Sequence, residues 1–392
     1  GDALLIDISG NSNFYKNVDI SGTLNYNHIE FGLFNSYGLT KVVNKTSVTN
    51  FPVTIFGNLG TAGDKCWGGV LAPNGKIYGI PRHGKSIIVI TPSTASASAS
   101  VSTNEISLAS GINLNDTRKW HGGVLALNGK IYGIPLSSST ILEIDLNTKK
   151  ATRSAFGASL SGANKWSGGV LAPNGKIYGI PFNSTSILEI TPGATTTTAT
   201  RFGSVSGSWS GGVLAPNGKI YGIPAGATSI LVITPGATTT TVSTTEITVT
   251  EDSSLSGSWA GGVLAPNGKI YGIPSGATSI LEIDPEAGTA ATNTISPTEG
   301  TSLDNEGWYG GVLAPNGKIY SIPLQSSKIL EIDPVARTAT TFGNVGETTY
   351  KWLGCVLAPN GKIYGLPFTI GTILELDPSV TNLGVTINNN WM

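Results

Sequence analysis

The stretch GGVLAPNGKIYGIP, Gly68 to Pro81, decides the fold. Close variants of it begin at Gly122, Gly168, Gly211, Gly261, Gly310 and Gly354, at steps of 54, 46, 43, 50, 49 and 44 residues. Seven copies with a period of about 48 residues lie in the range of propeller blades. The length variation falls outside the motif, where surface loops absorb it. Inside the motif, Asn-Gly is the strongest short hairpin signal, because both residues tolerate positive φ.

Each copy reads as four strands, A to D. In the third, Trp166 to Ala172 is A, Lys176 to Pro181 is B, Ile187 to Ile190 is C, and a Thr-rich stretch ending at Phe202-Gly203 is D. Runs of Ile, Val, Thr and Tyr broken by Gly and Pro are β chemistry, and no segment keeps a helical period over 11 residues. The ends fix the topology. Residues 53–67, VTIFGNLGTAGDKCW, match residues 340–352, TTFGNVGETTYKW. The first of these is therefore a strand D lacking its own A, B and C. The expected solution is an all-β, seven-bladed propeller over residues 47–378, closed by Val53 to Phe56 pairing with Ile373 to Leu376.

The motif has a structural reading at each position. The Gly pair allows close backbone approach where seven innermost strands converge. Val70 and Leu71 point to opposite faces of a blade. Tyr78, Tyr132, Tyr178, Tyr221, Tyr271, Tyr320 and Tyr364 offer area between blades and a hydroxyl that needs a partner. Lys76 and its equivalents start strand B, and Asp145, Asp284, Asp333 and Asp377 end strand C, so partly exposed Lys–Asp pairs are expected.

Composition removes several function classes. The 392 residues carry 23 basic and 24 acidic side chains, net charge −1, and only 12% are charged. Without a basic run there is no footprint for nucleic acid. At 39% apolar the chain is not disordered in composition. No run of 18 apolar residues exists to span a bilayer as a helix. Two cysteines make neither a disulfide framework nor a four-thiolate zinc site. Cys66 and Cys355 sit in neighbouring blades but in columns offset by three positions, which argues against a bridge. The chain opens on Gly1 without a signal-peptide pattern, as expected of a processed or excised chain. Length alone suggests two or three domains, and the repeats override that.

The Asn-Gly-Lys turn, the Ile-Tyr-Gly strand and the Ile-Leu-Glu-Ile-Asp-Pro strand resemble NHL, SMP-30-like and Kelch-type propeller repeats. The motif itself resembles a repeat of marine protist and large DNA virus proteins. The resemblance covers residues 48–378 and implies a fold that hosts hydrolases, lyases, lectins and scaffolds alike. The metal-binding acids of the SMP-30-like enzymes have no counterpart here. In residues 1–46, Ile6-Asp7-Ile8-Ser9-Gly10 returns as Val18-Asp19-Ile20-Ser21-Gly22. This period of 12 resembles the shafts of viral fibre proteins, where three chains wind together. It implies a β extension for attachment or homo-oligomerisation, trimeric by that analogy. The alternative is an irregular strand strapped to the propeller. Residues 379–392 read as a tail.

In a propeller the A–B and C–D turns share one face, and the D–A and B–C loops share the other. The turn face is nearly uniform here, whereas the loop face varies, and variable loops on a rigid scaffold are where binding sits. Trp120, Trp166, Trp209, Trp259, Trp308 and Trp352 occupy one column at the start of strand A. In blade one Cys66 holds that column and Trp67 is shifted by one. The column reads either as a ring of stacking platforms for sugars or as wedges between blades, and its repetition favours wedges. Arg82, His83 and Lys85 form a local cationic spot in the blade-one B–C loop, with His121 on the adjacent blade. A carboxylate, sulfate or sialic-acid-like group would suit it, and an ordinary solvated loop is the plainer reading.

Catalytic signals are weak. Three histidines exist, His28, His83 and His121, with no nucleophile motif and no metal spacing. The repeated Glu-x-Asp of strand C is not the unique pair that glycoside chemistry needs. Asp116, Glu251, Asp252 and Asp304 are scattered over D–A loops. Sequons at Asn44, Asn115 and Asn183 and the Ser/Thr runs permit a surface location. The expectation is a non-enzymatic virion or extracellular surface protein that needs no cofactor or metal and binds a receptor or glycan. The alternatives are a soluble lectin or interaction scaffold and, less favoured, a glycan-acting hydrolase or lyase.

Overall fold

The computed structural model describes residues 53–379, except 61–63, 111–113, 115–117, 156–159, 237–240, 247–256, 288–290, 299–300, 302 and 304–306. By contacts the chain divides into Gly1–Phe51 and Pro52–Met392. The extension and its repeat, His28, the tail, the Asn44 and Asn115 sequons and the D–A acids Asp116, Glu251, Asp252 and Asp304 fall outside the described residues.

The described residues form seven sheets, one per blade, each with its four blade strands antiparallel. In blade three the strands are Trp166–Leu171, Ile177–Pro181, Ile187–Thr191 and Thr198–Phe202. The ring closes as the sequence predicts. Val53–Phe56 is the outer strand of the seventh blade, with Val53 opposite Leu376 and Phe56 opposite Ile373. Blade two gains a fifth edge strand, Ser107–Leu108, laid parallel to its outer strand Lys150–Ala155.

Convergence at the axis explains the Gly pair. Gly211 has φ +75, and a Cβ there would sit 3.0 Å from the Cα of Gly261 in the next blade. The second glycine faces the preceding blade: a Cβ on Gly169 would lie 2.7 Å from Ile134 Cδ1. Between Trp166 and Gly169 the register shifts, a bulge that re-aims the residues in between.

The core is seven cores, one per blade interface. Val70, Tyr78 and Ile80 of blade one pack on Trp120, Ile131 and Leu142 of blade two, and the pattern repeats around the ring. Leu71 packs the other way, against blade seven. Burying such aliphatic side chains contributes about 1.5–3 kcal/mol each.

Two sequence expectations are corrected. The Asn-Gly turn is not a double positive-φ hairpin, since only the glycine is left-handed, at φ +76 for Gly75. Gly75 N–H donates to the Ala72 carbonyl and Ala72 N–H to the Lys76 carbonyl, both at 2.9 Å. This is a type I turn over Pro73-Asn74 followed by a glycine bulge, which Pro at the first central position favours. Asn is there for its amide. Asn174 Oδ1 accepts from Lys176 N–H at 3.1 Å, while Nδ2 donates to Tyr178 Oη at 2.9 Å and to the Gly236 carbonyl of the next blade at 3.0 Å.

The strand-B lysines pair chiefly with the strand-C glutamates, and of the expected Lys–Asp pairs Lys318–Asp333 forms, at 3.9 Å. Lys176 meets Glu189 at 2.8 Å, Lys269 meets Glu282 at 2.9 Å and Lys362 meets Glu375 at 2.6 Å. The aspartates bond mainly to backbone N–H groups of the C–D turn. Asp333 Oδ1 accepts from Val335 at 3.0 Å and Ala336 at 2.9 Å. An Asx turn of this kind competes successfully with a solvated ion pair. The tyrosine hydroxyls find the partners they need, Asn267 and Glu282 in the case of Tyr271. Both cysteines are free thiols.

Candidate binding site at the axial mouth

One position on the innermost strand breaks the repeat. It follows the wedge residue and holds Trp67, His121, Ser167, Ser210, Ala260, Tyr309 and Leu353 around the ring. Its neighbours on either side are nearly uniform. The bulge turns this column toward the axis on the loop face, so that residues from distant blades meet.

Tyr309, from blade six, reaches across the ring. Its hydroxyl lies 2.7 Å from His121 Nε2, 2.5 Å from Ser210 Oγ and 3.4 Å from Ser167 Oγ. Blade six is deformed where this happens. Its innermost strand shortens to Val312–Leu313, and Ser321, replacing a glycine, donates its hydroxyl to the Gly310 carbonyl at 2.5 Å. His121 is 5% exposed, and burial pushes it down to about 3, with the Arg82 charge adding to that direction. It is therefore neutral at neutral pH. Burial likewise raises the Tyr309 phenol above its usual range. Leu324, Leu353 and Phe368 pack with Trp67 and Tyr309 as an apolar plug beside this polar network.

Trp67 links the plug to blade one. Its ring centroid is 4.2 Å from that of His121. The Arg82 guanidinium stands 4.2 Å over the Trp67 ring and 5.0 Å over Phe368. Arg82 Nη1 donates to Asp64 Oδ2 at 2.6 Å, and His83 Nδ1 lies 3.3 Å from the same oxygen. Burial lowers the His83 pKa against the opposing pull of Asp64. The loop is pinned: Arg82 and Gly84 N–H donate to the Lys65 carbonyl, and Lys119 N–H donates to that of Arg82.

The sequence-predicted residues thus divide. Trp120, Trp166, Trp209, Trp259, Trp308 and Trp352 are not platforms. They are 0–2% exposed, wedged in the blade interfaces, and each indole N–H donates to a backbone carbonyl 20 residues on, as Trp166 does to Ser186 at 2.8 Å. Trp67 alone is displaced to the axis, because Cys66 takes the wedge place and contacts the Pro367 carbonyl through Sγ at 3.2 Å. Arg82, His83, His121 and Trp67 do come together, and Lys85 is exposed on the same loop. The spot is not an open cationic patch, since Asp64 provides an internal counter-ion.

Sequence reasoning missed Asp64, Tyr309 and the axial column. The signal available was the one variable position inside an otherwise repeated Trp-x-Gly-Gly string. It also missed Lys65, Lys119, Lys165 and Lys351, which precede the wedge column and are 0–6% exposed. Lys165 Nζ donates to the carbonyls of Leu136, Ser138 and Gly162 at 3.0, 3.0 and 2.7 Å, clamping two blades together. Burial brings its pKa down to about 8.

Among the described residues no group of three or more His, Cys, Asp or Glu gathers to hold a metal, and no helix is long and apolar enough to cross a membrane. A groove of about 540 Å³ lies between residues 56–59 and 99–104, at the outer strands and away from the axial cluster.

The fold and its axial mouth define a seven-bladed β-propeller with one irregular, plugged end. No protein-family model and no curated protein matches the chain. Solved structures share the architecture. Virginiamycin B lyase from Staphylococcus aureus, solved as a catalytically inactive histidine-to-alanine variant with quinupristin, is similar at TM-score 0.63 and 12% identity, over 83% of this chain and 99% of that one. The extracellular domain of a putative hybrid two-component system from B. thetaiotaomicron matches at TM-score 0.58 and 10% identity, over 82% and 42%. PorZ, a surface component of the type-IX secretion system of Porphyromonas gingivalis, matches at TM-score 0.57 and 12% identity, over 81% and 47%. At such identities the likeness is one of fold.

Proposed function

We propose that this chain is a non-enzymatic binding propeller of a virion or extracellular surface, which engages a glycan or receptor through its loop face. The axial column carries the reading. A repeat that is uniform everywhere else differs at the positions gathered at one mouth, and variation on a rigid frame is how a scaffold acquires a partner. The opposite face is committed to holding blades together through its Asn, Tyr, Lys and Glu side chains. An extracellular domain and a bacterial surface component among the structural neighbours support the location. The shaft-like repeat of residues 1–46 supports attachment as a homo-oligomer, whose copies would multiply weak contacts into avidity. His121 is buried and bonded to hydroxyls rather than facing a substrate space, which favours binding over catalysis.

A glycan and surface-protein array tests this with the full chain and an Arg82→Ala/His83→Gly/Lys85→Thr variant, which gives blade one the B–C loop residues of blade four at every position but Gly84. Loss of binding with a melting temperature within a few degrees of the parent is expected. Unchanged binding would overturn the loop-face assignment. Turnover of a glycan polymer, abolished by His121→Asn, would overturn the non-enzymatic part.

A further inference from the structure

We propose that the corner of the loop face formed by blades one and two recognises one acidic substituent of a sugar, a carboxylate or a sulfate ester. This rests on the binding reading above and names its ligand chemistry.

Buried polar atoms in folded proteins almost always have partners. Among the described residues four buried side-chain atoms have none: Trp67 Nε1, Arg82 Nε, His83 Nε2 and His121 Nδ1. They are not scattered over seven blades. All four belong to side chains already in contact, through the Arg82–Trp67 stack, the Trp67–His121 ring pair and the shared Asp64 carboxylate. Elsewhere the fold satisfies the same chemistry without exception among the described residues. The six wedge indoles reach carbonyls, and the buried Lys119, Lys165 and Lys351 ammonium groups each reach two or more.

The unpaired set selects a ligand. Trp67 Nε1 and Arg82 Nε can only donate. With Nδ1–H turned to Asp64, the neutral His83 ring presents Nε2 as an acceptor and stands outside the donor set. The two donors, Trp67 Nε1 and Arg82 Nε, ask for acceptor oxygens. The charged groups that act on His83 are Arg82, Lys119 and Arg118 against the single acid Asp64, so the corner favours an anion. Asp64 holds Nη1 of Arg82, and the ligand therefore meets the guanidinium along its Nε edge. Stacking on Trp67 and Phe368 fixes that edge in advance, which reduces the ordering cost of binding. These atoms are screened by their own cluster, and His83, with 29% of its side chain exposed, is the group that turns aside to admit the ligand. One corner of this size takes one acidic group rather than a polyanion.

The test is calorimetric titration of the full chain at pH 7 with N-acetylneuraminic acid, glucuronic acid, glucose 6-sulfate and, as neutral control, glucose. The acidic sugars are expected to bind and glucose not, and the carboxylate and sulfate arms separate the two sources. Arg82→Lys keeps the charge beside Asp64 but has no Nε–H edge. Trp67→Phe keeps an aromatic ring beside Arg82 and removes the indole N–H. Each is expected to weaken acidic-sugar binding tenfold or more, with a melting temperature within a few degrees of the parent's. Parental affinity in both variants, or equal binding of glucose, would overturn the proposal. If the array finds neutral or protein ligands lost on the blade-one loop replacement while acidic sugars do not bind, this site fails and the loop-face reading stands. If nothing binds through the loop face, both fail.

Discussion

Trp166 and Trp67 show how one residue type takes two roles a single position apart. Trp166 is enclosed by blades two and three and donates to Ser186. Trp166→Ala is expected to cost about 3–5 kcal/mol in chemical unfolding, the usual range for emptying an aromatic site. Trp67→Ala, at the half-exposed mouth, should cost clearly less in the same measurement. His121 gives a pH test. Its folded pKa is lowered from 6.5 to about 3, so below pH 6.5 the unfolded chain takes up a proton that the folded chain refuses. Its contribution is fully present above pH 6.5 and is lost as pH falls toward 3, at a slope of up to about 1.4 kcal/mol per pH unit. Denaturant unfolding between pH 6.5 and 4 should show that slope in the parent and a shallower one in His121→Gln. Equal slopes would mean the imidazole is solvated.

At the scale of the element, the A–B hairpin is the device that joins neighbouring blades. Asn174→Asp keeps the acceptor for Lys176 but loses both donors and sets a carboxylate beside the Gly236 carbonyl. A loss of about 1–3 kcal/mol is expected by chemical denaturation. Lys165→Met should cost a similar amount, because three carbonyls lose a charged donor at once. These elements also show what a sequence yields and withholds. The strands, the hairpin and the buried tyrosines were legible because period and apolar spacing report directly on burial. The turn type was not, since Asn-Gly suits two hairpin geometries and the preceding Pro decides between them. The partner of each lysine was not, since Glu and Asp two residues apart on strand C both come within reach, and the Asx turn draws the Asp toward the backbone. The buried lysines escaped because a Lys before a Trp looks like surface until the loop of the preceding blade supplies carbonyls.

For the whole molecule, closure is the main stabilising event that repetition alone does not provide. Val53–Phe56 covers the edge of Ile373–Leu376. A chain beginning after Phe56 should melt at a lower temperature and associate through the bared edge, seen as higher-order species in gel filtration. An unchanged melting temperature in a monomer would show that the shared blade is dispensable. The ring was legible in the sequence because seven copies cannot be packed many ways. The site was obscure for the same reason. It consists of departures from the repeat, Trp67, Tyr309, Ser321 and Asp64, that only geometry brings together. The central claim is that the loop face binds and the turn face builds. It is tested most directly by comparing array binding of the Arg82→Ala/His83→Gly/Lys85→Thr chain with that of a Leu127→Glu/Val335→Glu chain, whose substitutions fall at residues 80% and 90% exposed on the turn face. Binding lost in the first and kept in the second is the predicted result. Binding kept in the first and lost in the second would contradict the account.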